Sequence, residues 1–336
     1  MKKILSTLLV LTMALSLAAC GGANKAETQI QETGTPAASK PETITIQALN
    51  GSKEVAPTEV PYDPQRLVML DMARLDYIDN LGPGDRIVGS ATTTIEYLQQ
   101  YTPGEDSGIV NVGTIKIPDL EAVMECEPDV IFIGGRLSAY YDQLSEIAPV
   151  VYLPDAGSYS GVVEMTAENA KIVASMFGME EKIDALVADY YARMDALKAV
   201  SEGKTAIIGM CTGGAFNLLG NDGRCSIIGV ELGWENIGVD ANVDTSSHGN
   251  EASFEFAVQA APDYIFVLDR DKATGSEGAQ LAKDIMENEL VMGTDAYQNG
   301  NMIIMDHPNV WYTAEGGITA LGVMLSDLET ALGLNG

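Results

Sequence analysis

The chain contains one stretch twice, and that repeat limits the folds open to it. Residues 119–136 carry Asp119, Glu121, Pro128-Asp129, Ile131-Phe132 and Arg136; residues 253–270 carry Ser253, Glu255, Pro262-Asp263, Ile265-Phe266 and Arg270 at the same offsets. Each copy predicts a capped short helix, a Pro-Asp turn and an apolar strand. Asp119 and Ser253 are side chains that accept from the free amides of a helix start. Pro128 and Pro262 cannot continue a helix, and they bias Glu127 and Ala261 to extended geometry. The runs 130–133 and 264–268 are apolar without alternation, as strands buried on both faces are. An Arg just after each strand lies at its carboxyl end, the edge where open α/β sheets bind ligands. One such Arg reads equally well as a solvated salt-bridge partner. Two at matched offsets favour two α/β lobes that each direct an Arg into the space between them.

Composition agrees with that picture. A chain of 336 residues exceeds one typical domain. Its 46% apolar and 20% charged residues allow a large core. The net charge of −29 argues against nucleic acid and against anionic lipid, both of which select basic surfaces. With only 19 Lys and Arg residues, a cation near a cleft is informative. Two histidines, His248 and His307, exclude a multi-histidine metal site. His307, between Asp306 and Pro308, reads as a surface turn residue.

Lys2-Lys3, an apolar run over 4–17 and the small residues before Cys20 mark residues 1–20 as a secretory signal, too short to read first as a spanning helix. Leu17-Ala18-Ala19-Cys20 resembles the bacterial lipobox, which implies lipidation of Cys20. Residues 21–41 lack aromatics and read as a flexible tether. Cys126, Cys211 and Cys225 form no Cys-x-x-Cys pair, so zinc is not indicated. Cys126 reads as a small buried hydrophobe; a Cys211–Cys225 bridge stays open.

Between these landmarks, the pattern predicts an N-terminal α/β lobe over 42–160, a helical connector over 161–201 and a C-terminal α/β lobe over 202–336. Strands are expected at 67–70, 86–89 and 150–153, with helices at 71–81 and 138–147. The connector predicts helices over 162–177 and 180–200. The second carries Ile183, Leu186, Val187, Tyr190, Tyr191, Met194 and Leu197 at helical spacing, a core stripe and a stiff link between lobes. The second lobe predicts strands at 205–210, 216–219 and 302–305, a short helix at 226–232 and a terminal helix over 317–332.

Taken in order, these pieces resemble the class III solute-binding proteins of ABC importers, and most of all the ferric-catecholate siderophore binders of petrobactin and enterobactin type. The resemblance rests on Gly113-Thr114-Ile115-Lys116 with Pro118-Asp119-Leu120, on Gly134-Gly135-Arg136-Leu137-Ser138, and on Ser145-Glu146-Ile147-Ala148-Pro149. Ser247-His248-Gly249, the segment from Pro262 to Arg270, and Trp311-Tyr312 complete it. It implies two Rossmann-like lobes joined by a single long helix, with the ligand in the cleft. It implies an Arg triad, Arg136, Arg224 and Arg270, against catecholate oxygens, with His248 and Tyr312 able to ligate the Fe(III) of the siderophore. Glu121 and Glu255 resemble the family's docking points for Arg residues of the membrane permease. Leu137, Cys225 and Glu315-Gly316-Gly317 depart from the subgroup's pattern and leave the particular siderophore open.

The residues support that chemistry on their own terms. Ferric catecholates are anionic and oxygen-bound, and guanidinium forks onto paired oxygens without losing its charge. Bland readings stand beside it: Arg224 in a solvated turn, His248 as a structural loop residue, Tyr312 as packing beside Trp311, and Glu121 and Glu255 as helix-start carboxylates favoured by the dipole. The sequence thus predicts a lipid-anchored, extracytoplasmic, monomeric binding protein with no intrinsic cofactor. It would deliver a ferric siderophore to an ABC permease and do no covalent chemistry. A haem, corrinoid or hydroxamate-siderophore binder on the same fold is the nearest rival, disfavoured because neutral hydroxamates need less positive charge. A secreted hydrolase would want a Gly-x-Ser-x-Gly elbow, and none appears.

Overall fold

The structure, a computed structural model, describes residues 41–154, 161–241, 250–251 and 254–334. The expectations for the signal segment with Cys20, for nearly all of the tether, for the cap Ser253 and for His248 lie outside these residues. Among the described residues no helix is long and apolar enough to cross a membrane.

The chain enters through a hairpin of β1 (Thr43–Leu49) and β2 (Val55–Pro61), paired antiparallel from Thr43 opposite Pro61 to Leu49 opposite Val55. This hairpin is absent from the sequence-based expectation, although Asn50-Gly51 between two extended runs is a turn signal. The Asn50 side chain holds the turn by accepting from the amides of Ser52 and Glu54 at 2.9 and 3.0 Å.

The first large sheet contains β3 (Leu67–Leu70), β4 (Ile87–Ser90), β5 (Val110–Asn111), β6 (Val130–Ile133) and β7 (Val150–Tyr152) in the order β5-β4-β3-β6-β7, all parallel. Every residue of β3 and β6 is buried, as the unbroken apolar runs require. The helices α1 (Met72–Leu81), α2 (Leu120–Glu125) and α3 (Tyr141–Ser145) accompany it, with a 3-10 turn at Gly135–Tyr140 ahead of α3. The order reverses between β3 and β6, which makes their carboxyl ends the switch point where such sheets take ligands.

Two helices, α4 (Val162–Ser175) and α5 (Glu181–Ser201), lead from β7 to the second sheet. On α5 the stripe is Ile183, Val187, Tyr190, Met194 and Leu197, all buried; Tyr191 faces out at 44% exposure, one position off the stripe. Burying each of the aliphatic members is worth roughly 1.5–3 kcal/mol.

The second sheet is mixed. It contains β8 (Thr205–Thr212), β9 (Ala215–Leu218), β10 (Glu235–Asn236), β11 (Asn250–Glu251), β12 (Tyr264–Asp269) and β13 (Met302–Ile304). The order is β11-β9-β8-β12-β13, with β10 also on β8; β12 runs parallel to both β8 and β13, and β9 antiparallel to β8. The tight Gly213-Gly214 turn reverses the chain, which is why β9 cannot run parallel. Here α6 (Phe254–Ala260) precedes β12 and α7 (Arg270–Thr274) follows it. The short helices α8 (Ala282–Met286), α9 (Glu289–Met292) and α10 (Asp295–Gln298) fill the stretch before β13. The chain closes with α11 (Pro308–Thr313) and α12 (Ile318–Ala331). The expected helix at 226–232 is a single π-type turn at Ile227–Glu231.

The repeat is legible in the backbone. Asp129 Oδ2 accepts from the amides of Gln65 and Arg66 at 2.7 and 3.0 Å, and Asp263 Oδ2 from the amide and hydroxyl of Thr205 at 2.9 and 3.1 Å. In both lobes the Pro-Asp carboxylate therefore fixes the entry of the central strand, β3 or β8. One expectation fails identically in both copies. Glu127 and Ala261 are not extended but left-handed, with φ of 44° and 45°. The helix must end within two residues of the turn, and a left-handed residue after its last turn closes it by donating back, as the Glu127 amide does to Met124 at 3.0 Å.

The terminal helix also departs from the expected division at residue 202. α12 packs against α1, α4 and α5 rather than closing on the second sheet. Asp76 of α1, fully buried, accepts from the amides of Thr319 and Ala320 at 3.0 and 2.9 Å and so caps α12 from another element. Tyr97 and Asn80 donate to the same carboxylate, each at 2.7 Å. Burial pushes the Asp76 carboxyl up to about 6, held from rising further by the bonds from Tyr97, Thr319 and Ala320.

Candidate ligand-binding site

The site is assembled from the carboxyl edges of both sheets. β6 ends at Ile133, and Gly134-Gly135 turn the chain so that Arg136 leaves the sheet at its switch point. Gly134 is required by close approach: a Cβ there would lie 2.1 Å from Asp71 Oδ2. Asp71 in turn caps α1 through the Arg74 amide at 3.1 Å and pairs with the buried Arg74 guanidinium at 3.1 Å. Arg74 also donates to the carbonyl of Pro154 at 3.0 Å, so one buried pair holds the ends of β3 and β7 together behind Arg136.

The second sheet repeats the device. Arg270 opens α7 at the end of β12, with Asp269 capping the helix through the Lys272 amide at 2.9 Å. Arg270 Nη1 donates to Asp271 Oδ1 at 3.0 Å and to Thr212 Oγ1 at 3.1 Å, at the end of the neighbouring strand β8. Asp271, buried and also bonded to the Gly213 amide at 2.7 Å, was not a sequence candidate. Its one signal in the sequence is its place directly after Arg270 at the sheet edge.

The two sets meet on Tyr312 of α11. Arg136 Nη2 donates to the Tyr312 carbonyl at 2.9 Å, Arg224 Nη1 to the same carbonyl at 3.3 Å, and Arg270 Nε to the phenol oxygen at 3.4 Å. The three guanidinium carbons lie 5.5, 4.2 and 5.9 Å from the Tyr312 ring centre, for Arg136, Arg224 and Arg270 respectively. Tyr312 follows the last strand on a helical turn between β13 and α12, which buries it.

Charge follows the geometry. Burial raises the Tyr312 phenol, but the bond from Arg270 and the charges of Arg224, Arg270 and Arg136 outweigh it and hold the group below its ordinary range. Burial lowers Arg224, and the neighbouring Arg136 charge lowers it further, against the opposing pull of Glu315. The buried Nε of Arg224 has no hydrogen-bond partner among the described residues. Three guanidinium groups around one phenol make a concentrated positive site on an acidic protein, with donors free to exchange the Tyr312 carbonyl for the oxygens of an anion.

Other candidates lie elsewhere. Glu121 and Glu255 are exposed in the first turns of α2 and α6 and make no ion pair among the described residues. A helix crossing between parallel strands runs against them, so both first turns lie at the carboxyl edges that also carry Arg136 and Arg270. Cys126, Cys211 and Cys225 are free and buried, so the bridge left open by the sequence does not form; Cys211 and Cys225 belong to different core clusters. His307 is more than a turn residue: its Nδ1 lies 2.6 Å from the buried Asp327, which also accepts from Trp311 Nε1 at 2.9 Å.

A family model described as periplasmic binding protein matches residues 67–308. The chain belongs to that family. It is a binding protein that serves transport, not an enzyme. The petrobactin-binding protein YclQ of Bacillus subtilis is 29% identical over 99% of this chain and 99% of that protein. The ferric-anguibactin-binding protein FatB of Vibrio anguillarum is 25% identical over 81% of this chain and 83% of that protein. The crystal structure of YclQ superposes with a TM-score of 0.77 over 87% of this chain and 99% of that chain. That of the catecholate-siderophore binding protein VctP from Vibrio cholerae, 29% identical, superposes with a TM-score of 0.74 over 86% and 100%. The family places the two α/β lobes read from the repeat in a known architecture.

Proposed function

We propose that the protein captures a ferric catecholate siderophore between its two lobes and delivers it to the permease of an ABC importer. The observation that carries this reading is the convergence of Arg136, Arg224 and Arg270 on Tyr312. Each Arg offers a fork to paired oxygens, and the sum matches a ligand of high negative charge better than a neutral hydroxamate. The names of YclQ, FatB and VctP, each a siderophore binder, point the same way.

Iron in this reading is cargo held within the siderophore. Octahedral Fe(III) takes six donors, so a bis-catecholate leaves two positions open. A phenol oxygen is a hard donor, this one is already held below its ordinary range, and bound Fe(III) would lower it further, so Tyr312 would take one position. His248 would take the other. Glu121 and Glu255 would meet basic residues of the permease, and Cys20 would carry the lipid that keeps a monomeric protein on the outer face of the membrane.

A tryptophan-fluorescence titration tests this, because Trp311 adjoins Tyr312. Ferric bis-catecholates should quench at the lowest concentration, ahead of tris-catecholates, ferric hydroxamates and haem. The iron charge-transfer band should shift on binding, and Tyr312→Phe should remove part of the shift. Tighter binding of haem or a hydroxamate would overturn the reading.

A further inference from the structure

Exposed apolar side chains gather beside both docking carboxylates. On α2, Met124 follows Glu121 by three residues and is 59% exposed; on α6, Val258 follows Glu255 by three residues and is 44% exposed. Residues three apart share one helix face, so each lobe presents a carboxylate and an apolar group side by side at matched repeat positions. Further exposed apolar residues lie just ahead of α2 in the chain and on the helix packed against α6. Ile117, 65% exposed, precedes α2 in a turn pinned by Thr114, whose amide donates to the Ile117 carbonyl at 2.8 Å and whose hydroxyl accepts from the Ile117 amide at 3.0 Å. In the second lobe α9 packs beside α6 and exposes Leu290 and Met292.

We infer that Met124 with Ile117, and Val258 with Leu290, are a matched pair of apolar anchors that seat the two lobes on the extracytoplasmic face of the permease. This rests on the proposed importer function and deepens it. Exposed ion pairs contribute little by themselves, because solvent screens them and both side chains lose freedom. Two carboxylates alone would give a weak, salt-sensitive encounter, and apolar contacts beside them supply area that salt does not screen. The occupant follows from charge and repetition. A second copy of a chain of net charge −29 would bring carboxylate against carboxylate, and an anionic lipid surface would repel both. A membrane protein with two equivalent subunits or halves, each offering a cation next to an apolar recess, complements both lobes at once.

The test is photo-crosslinking in cells that make the full-length protein. A benzophenone amino acid is placed at Met124, Val258 or the adjacent exposed Glu125, with Tyr191 on α5 as a remote exposed control, and adducts are identified by mass spectrometry. Permease adducts are expected from positions 124, 125 and 258 and not from 191. Met124→Ser with Val258→Ser should lower the adduct from position 125 at least ten-fold while melting temperature and ligand-induced quenching stay unchanged. Met124→Lys, which sets a cation against a basic partner, should lower it further. If the adduct from 125 persists in these variants but vanishes in Glu121→Ala with Glu255→Ala, the apolar anchors are refuted and the carboxylate docking stands. No permease adduct from 124, 125 or 258 would overturn both.

Discussion

The carbonyl of Tyr312 accepts from Arg136 at 2.9 Å, across 176 positions of sequence. That bond joins the carboxyl end of the first sheet to a helix that follows the last strand of the second. In the proposed complex an anionic ligand would compete with that carbonyl for the guanidinium or use its remaining N–H groups, and the guanidinium groups would already be positioned when it arrives.

Replacing Arg136 or Arg270 by Ala should weaken ferric bis-catecholate binding by about 2–5 kcal/mol, the range for truncating one member of a desolvated charge contact. Arg224→Ala should cost as much, since Arg224 lies nearest the Tyr312 ring. Calorimetric titration of the three variants checks this; unchanged affinity in Arg136→Ala with Arg270→Ala would remove the site.

Tyr312 should titrate below an ordinary tyrosine in the ligand-free protein. Because its folded pKa is depressed, the associated stability is present above the ordinary phenol range and is lost as pH falls through the folded value. The ultraviolet phenolate band, compared between wild type and Tyr312→Phe, isolates this group. Arg270→Ala should move the titration back up, since it removes the bond that lowers it most.

Asp76 should make stability fall as pH rises. Its native carboxyl keeps a proton up to about 6, whereas the unfolded chain releases it near 3.8. Between those values the native state binds more protons, so this group's contribution declines by about 2 kcal/mol on going from pH 4 to pH 7. Urea unfolding across that window should show the slope, and Asp76→Asn should flatten it. Asp76→Ala leaves the amides of Thr319 and Ala320 and the hydroxyl of Tyr97 without their acceptor, and should cost about 3 kcal/mol or more.

Cys126, Cys211 and Cys225 should resist thiol reagents in the native protein and react once it is unfolded. Burial pushes the Cys211 thiol up to about 12 and Cys225 well above its usual value, which withholds the reactive thiolate as well. Reductant should leave the melting temperature unchanged; a drop would reveal a bridge.

Sequence by itself determined the elements whose signals are local. Unbroken apolar runs specified β3, β6 and β12, Asp71 and Gly82 bounded α1, and the repeat placed Arg136 and Arg270 at matching strand ends. Those follow from helix and strand periods, caps and breakers, which act over a few residues. The tertiary structure decided the rest. That α12 packs on α1, α4 and α5 depends on a carboxylate more than two hundred residues away from the amides it caps. That Asp271 holds Arg270, and that three guanidinium groups share one tyrosine, depends on which strand ends adjoin at the carboxyl edges of the two sheets. Periodicity shows which face of an element is apolar but not what covers it, so the convergence on Tyr312 exists only once both sheets are built.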